Sequence, residues 1–372
     1  MTKLKFIDEF RNPELIRKTL EELEKIVEPD DHFRIMEVCG GHTYAIFHFG
    51  LHELVPKNIE FIHGPGCPVC VLPPGRVDEA LSLAEKHEDV IFTAFGDVMR
   101  VPGKNGSPLT YKAMGVDVRM IYSPLDALDI AIKNPDKKVL LVAIGFETTA
   151  PSTALTVLRA KELDVDNFFV YSNHVKIIPV LESILAQPGM KVDGFIGPGH
   201  ASVVIGAEPY NIVAEKYKKP VVISGFEPLD LLQSILMLIK QLKNGETKVE
   251  NQYKRAVADE GNVRALQVMD QVFEDRTIFE WRGLGGIHNS ALKLRPEFAK
   301  WDAEVHFNIE KINIEENKEA RCGDVLKGII KPNQCKLFGK VCTPENPVGA
   351  LMVSSEGACA TYYNHMFSTM SQ

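Results

Sequence analysis

No run of apolar residues in this 372-residue sequence approaches the ~18 that a membrane span needs. The first nine residues, Met1 to Glu9, carry charges where a secretory leader needs an apolar stretch, so the chain is expected in the cytoplasm. Blocks of like charge are missing too. With 42 basic against 50 acidic residues the net charge is −8, and neither nucleic acid nor a membrane surface is an expected partner. The nucleotide signatures are incomplete. Gly103-Lys104 is followed by Asn105, and Val98 stands where a phosphate-cradling loop needs glycine; Gly283-Leu284-Gly285-Gly286 does not complete a dinucleotide fingerprint. Cysteine is scarce and odd in number. Seven cysteines in a reducing compartment point to ligands and reactive thiols rather than to structural bridges.

What is present is the balance of an ordinary folded protein, 45% apolar and 25% charged, long enough for two or three domains. Residues 10–28 read as an amphipathic helix. Short apolar runs then alternate with helical periodicity: Phe33–Val38, Ile59–His63, Val90–Phe95, Val116–Tyr122, Lys138–Ile144, Phe168–Tyr171, Gly194–Ile196 and Val221–Ile223. Continuous β-branched runs between helices indicate parallel strands buried on both faces, hence an α/β, doubly wound fold. Phe61-Ile62-His63-Gly64-Pro65-Gly66 resembles Phe195-Ile196-Gly197-Pro198-Gly199, and Gly145-Phe146-Glu147 resembles Gly225-Phe226-Glu227. The repetition suggests two similar lobes, residues 30–130 and 131–228, meeting at a cleft. Residues 1–29 are then an N-terminal helix packing on the C-terminal part. Residues 229–372 make a mostly helical and irregular domain in which strands cease after Leu242, Gln252–Asp275 is helical, and four of the seven cysteines lie.

Ligands of open parallel sheets bind outside the carboxyl ends of the strands. Six such ends carry reactive residues: Cys39-Gly40-Gly41-His42, Gly64-Pro65-Gly66-Cys67-Pro68-Val69-Cys70, Gly145-Phe146-Glu147-Thr148-Thr149, Ser172-Asn173-His174, Gly197-Pro198-Gly199-His200 and Gly225-Phe226-Glu227. Cys39, at a helix N-terminus, is placed to have its thiol acidified and to act as a ligand or nucleophile; the plainer role is a small buried residue in a tight turn. Cys67 and Cys70 have the spacing of a reversible disulfide. With no second C-x-x-C, half a zinc site is disfavoured. Val71-Leu72-Pro73-Pro74-Gly75 should be extended, unlike the helix that directly follows a thioredoxin motif. Cys322, Cys335, Cys342 and Cys359, with twelve, six and sixteen residues between them, suffice for one four-thiolate site. Their spacing matches neither zinc ribbons nor ferredoxin runs, and a redox-active dithiol in the same chain favours an iron–sulfur cluster over zinc. Glu147, His174, His200 and Glu227 read as acid–base groups or ligands, or more plainly as caps and core hydrogen bonders. Glu356, three residues before Cys359, reads as a proton-handling group or a solvated surface residue.

The strand-end blocks, together with Phe226-Glu227-Pro228-Leu229-Asp230 and Met352-Val353-Ser354-Ser355-Glu356-Gly357-Ala358-Cys359, resemble the HypD family of [NiFe]-hydrogenase maturation proteins. The likeness runs from residue 39 to 359; Tyr44 departs from a second histidine expected after Thr43. The resemblance implies a scaffold that assembles the Fe(CN)2CO unit with the chaperone HypC and receives cyanide from HypE. It implies iron binding at Cys39, a redox-active Cys67/Cys70 pair, and a [4Fe-4S] cluster on Cys322, Cys335, Cys342 and Cys359; His42, three residues after Cys39, and Glu356, near the cluster, are counted with the catalytic candidates on their positions alone. Two competing readings are a free-standing ferredoxin-linked protein disulfide reductase and a hydrolase-like or transferase protein with structural zinc.

Overall fold

A computed structural model describes residue 5, residues 7–312 and residues 319–368. The remaining parts of the expected N- and C-terminal segments, residues 1–4, 6, 313–318 and 369–372, lie outside the described residues. No helix among the described residues is long and apolar enough to cross a membrane.

The eight apolar runs form eight parallel strands: β1 (Phe33–Glu37), β2 (Ile59–His63), β3 (Val90–Phe95), β4 (Val118–Ile121), β5 (Lys138–Gly145), β6 (Phe168–His174), β7 (Gly194–Pro198) and β8 (Val221–Ser224). A further strand, β9 (Val249–Asn251), follows the expected end of the strand rhythm and pairs in parallel with β8. Two sheets result, one in the order β2-β1-β7-β8-β9 and the other β4-β3-β5-β6. The sequence boundary expected near residue 130 is therefore corrected. Residues 90–174 build the four-stranded sheet, while residues 33–63 and 194–251 together build the five-stranded one. The cause is visible in the register of β1, where Ile35 lies opposite Phe61 of β2 on one side and Gly194 of β7 on the other. The similar Phe-Ile segments are thus the two neighbours of one strand, not equivalent strands of two lobes.

Helix Pro13–Ile26 starts where Asn12 accepts hydrogen bonds from the Glu14 and Leu15 N–H groups and Pro13 needs no donor partner. Its Leu23 is fully buried in a cluster with Ile35, Ile196, Leu231 and Ile235. The helix thereby covers the five-stranded sheet through helix Pro228–Asn244. The C-terminal part is not a separate body. Helix Val263–Val272, capped by Asn262, joins the core of the four-stranded sheet. The expected helix over Gln252–Asp275 is limited to that segment because Phe273–Asp275 (β10) pairs antiparallel with a later strand. Ile278–Trp281 (β11) and Gly285–His288 (β12) form a second antiparallel pair, and Leu292–Leu294 (β13) is the partner of β10. The Pro-rich segment also differs from expectation. Val71 closes a one-turn helix, Pro68–Val71, and Pro74 opens helix Pro74–Lys86, leaving Leu72 and Pro73 extended. Both prolines sit at first helical positions, where a missing N–H costs nothing.

Candidate functional site

Each sheet reverses its direction of growth once. In the four-stranded sheet β4 lies beside β3 on one side while β5 and β6 extend the other. In the five-stranded sheet β2 and β7 flank β1. Crevices open at such reversals, beyond the carboxyl ends of the strands. A single cavity of ≈ 520 Å³ occupies both: it is lined by Val38 and Cys39 just beyond β1, Phe95 and Gly96 at the end of β3, Gly145 at the end of β5, and Pro198 and His200 at the end of β7.

Cys39 caps helix Gly40–His48, and its Sγ lies 3.8 Å from His200 Nδ1. Burial pushes this thiol up to about 12, and the nearby Glu356 carboxylate adds to the rise; the Gly41 and His42 N–H groups oppose it and are outweighed. The expected acidification is corrected accordingly: without a metal the group is a protonated thiol, because its helix N-terminus is short and desolvated. Burial also keeps His200 below its ordinary value, so its ring is neutral at pH 7. That ring stacks on Phe226 at 3.9 Å, and His42 stacks on Phe226 at 4.5 Å. His42 itself does not line the cavity. Its Nε2–H donates to the Ser224 carbonyl at 3.1 Å, leaving Nδ1 buried and unpartnered, and burial lowers its pKa to about 4.

Cys67 and Cys70 form a disulfide across a Cα–Cα distance of 5.3 Å, and Cys67 Sγ accepts the Cys70 N–H. They are 4% and 1% exposed, lying behind the cavity wall made by Gly66, Pro68 and Val69. Glu356 also lines the cavity, beside Gly40, and its carboxyl is raised by burial and then by Asp97. One short turn connects all of this chemistry. A methyl group on Gly40 would fall within 2.8 Å of the Glu356 carbonyl; one on Gly357 would fall 3.1 Å from Cys70 Sγ; and Cys359 lies in the first turn of the helix Ala358–Ser368 that follows. The chain at 356–359 therefore touches the neighbour of Cys39, then Cys70, and then reaches the four-cysteine group.

Cys322, Cys335, Cys342 and Cys359 surround a small cavity walled by Val325, Leu337, Phe338 and Met352. A side chain on Gly349 would collide with Cys322 Sγ, so the glycine leaves that sulfur its space. Burial raises the Cys359 thiol well above its ordinary value, followed by the charges of the other three cysteines. Among the described residues no three of these sulfurs lie within 4.8 Å of one another. A tetrahedral zinc site with Zn–S of about 2.3 Å has sulfurs only ~3.8 Å apart. The sulfurs would have to draw together to hold one zinc ion, and four thiolates are equally the donor set of an iron–sulfur cluster.

The remaining strand-end residues serve the scaffold. Glu147 accepts the Ile177 N–H at 3.0 Å, and burial raises it to about 7. His174 turns to Thr149 and Thr153, and Glu227 pairs with Arg11. Tyr44 is 48% exposed and stacks on His48. Asp97, which accepts from Ser354 Oγ at 3.0 Å and lines the cavity, was missed by sequence reasoning. Its signal was available: Gly96-Asp97 directly follows β3, as the other loops follow their strands.

Comparison with known proteins places this geometry in context. The family described as "HypD: Hydrogenase formation hypA family" matches residues 14–366. The chain is 51% identical over 367 residues to "Hydrogenase maturation factor HypD" of Escherichia coli (strain K12), covering 97% of this chain and 98% of that protein. It is 49% identical to the protein of the same name from Rhodobacter capsulatus, covering 97% and 98%. To "Hydrogenase expression/formation protein HupD" of Azotobacter chroococcum mcd 1 it is 48% identical, covering 97% and 96%.

Proposed function

The chain belongs to the HypD family of hydrogenase maturation factors, and on that premise we propose that it is the cytoplasmic scaffold on which Fe(CN)2CO is assembled, with HypC sharing the iron and HypE donating cyanide. The observation that carries this reading is the turn 356–359, which brings one thiol, one dithiol and one four-thiol group into a single contiguous path.

Cys39 holds the substrate iron. A soft thiolate suits low-spin iron carrying cyanide and carbon monoxide. Because the thiol is protonated beforehand, iron ligation must release a proton, and the neutral His200 Nδ1 at 3.8 Å is placed to receive it. Glu356, packed against the Gly40 neighbour of Cys39, sets the charge of the cavity with Asp97. Opening the Cys67–Cys70 disulfide consumes two electrons and two protons, one proton per thiol. Cys322, Cys335, Cys342 and Cys359 would hold a [4Fe-4S] cluster, which supplies one-electron transfer when bound. The apolar walls keep water from Cys322, Cys342 and Cys359, whereas Cys335 is half-buried.

The burial of Cys67 and Cys70 disfavours the alternative, a free-standing ferredoxin-linked protein disulfide reductase, since a protein substrate must reach the attacking sulfur. Cys39→Ala tests the assembly reading. With the HypC and HypE partners present, the variant is expected to lose the infrared bands of bound cyanide and carbon monoxide while keeping the visible absorbance of the four-cysteine site. Unchanged infrared bands would refute the role of Cys39. Cys335→Ala is expected to abolish the visible absorbance; if the absorbance persists, that cysteine is not a cluster ligand.

A further inference from the structure

A second group of metal-ligating side chains lies outside the cleft, where helix Ala358–Ser368 meets the short helix Leu51–Leu54. His52 Nε2 is 3.1 Å from His365 Nε2. Glu53 Oε1 is 3.7 Å from the first nitrogen and 3.6 Å from the second. We infer that His52, Glu53 and His365 bind one divalent zinc-like cation, which pins the helix carrying Cys359 to the five-stranded lobe.

The triangle has the size of one face of a tetrahedron. Two nitrogens and an oxygen held about 2.0–2.1 Å from a zinc ion are about 3.3–3.4 Å apart, so the three edges need to move by only a few tenths of an ångström. The tautomer is already chosen. A carbonyl can only accept, so the contact between His52 Nδ1 and the Ile46 carbonyl at 3.4 Å places the ring proton on Nδ1 and turns the Nε2 lone pair toward His365 Nε2. Metal-bound histidines are held in this way, by a hydrogen bond from the nitrogen that does not touch the metal. Phe47 packs against both rings, at 4.4 Å from His52 and 5.4 Å from His365, and restricts their rotation. Burial lowers the His52 pKa, which keeps that imidazole neutral and able to ligate at pH 7. Lys57 also adds to that lowering, and Glu53 opposes it. Glu53 is exposed on the outer side, so the fourth coordination position faces solvent and is open to water. Two imidazoles and one carboxylate make a donor set suited to zinc and poorly suited to calcium or magnesium, which take oxygen ligands.

The full chain, kept anaerobic with its four-cysteine site loaded and treated with a chelator to strip loosely held ions, is titrated with Zn²⁺ against a chromophoric competitor. The wild type is expected to bind one equivalent that Glu53→Gln and His365→Gln each weaken by more than about tenfold. Its melting temperature is expected to rise with zinc, and that rise should shrink in both variants. Zinc held by cysteines cancels in the comparison, because none of the cysteines is changed. Glu53 is exposed, so its variant folds and keeps the test decisive even if a histidine variant does not. Equal zinc affinity and an equal rise in melting temperature across wild type and Glu53→Gln would overturn the assignment.

Discussion

A single methyl group at Gly40, the residue after Cys39, would press on the carbonyl and side chain of Glu356, which packs directly against it. Gly40→Ala is therefore expected to lower stability by about 1–3 kcal/mol, as overpacking does, and to lower iron loading at Cys39; calorimetry and iron content check both. His200→Phe separates stacking from proton transfer, since a phenyl ring keeps the contact with Phe226 and lacks Nδ1. Iron uptake by that variant is expected to slow at pH 7 and to quicken as the pH is raised, because hydroxide then replaces His200 as the acceptor of the proton released when iron ligates the still-protonated Cys39 thiol. An unchanged pH profile would remove His200 from that role. The cysteines were legible at this scale, because sulfur spacing along a chain survives folding. The stacked trio of His42, Phe226 and His200 was not: nothing local in sequence says that the β1 and β8 loops meet.

At the scale of elements, runs such as Val90–Phe95 and Lys138–Ile144 matched the structure to within a residue, since burial on both faces demands a nearly continuous apolar run. Partner choice was hidden. β1 selects β2 and β7 from opposite ends of the α/β region, a decision made by long-range packing rather than by either strand. Edge elements were hidden as well, because β9 has only half-buried residues and no apolar run to mark it. Helix Pro13–Ile26 carries its own prediction. Leu23 is fully buried, so Leu23→Ala is expected to cost about 2–5 kcal/mol in chemical denaturation, whereas a loss below 1 kcal/mol would mean the helix is only loosely attached.

For the whole molecule, buried ionisable groups set how stability depends on pH. Glu147 has a folded pKa of about 7, above its ordinary 4.5, because burial disfavours the charged carboxylate. Between those values the folded state holds a proton that the unfolded state has released. Stability from this group is thus present at low pH and lost as pH rises from 4.5 through 7, by roughly 3 kcal/mol. Buried His42 and His174, both lowered to about 4, act oppositely: their contribution is lost as pH falls from 6.5 through 4. Melting temperatures of Glu147→Gln and wild type should therefore diverge in the variant's favour from pH 5 to 7, and parallel curves would contradict the assignment.

The strand order also decides how this chain can be cut. A fragment ending at residue 130 would hold β1 without β7 and β3 without β5, leaving two raw edges and no complete sheet. Neither half could outlast the other, so the polypeptide is expected to melt in one cooperative step and to resist being split, permuted or shuffled at that point.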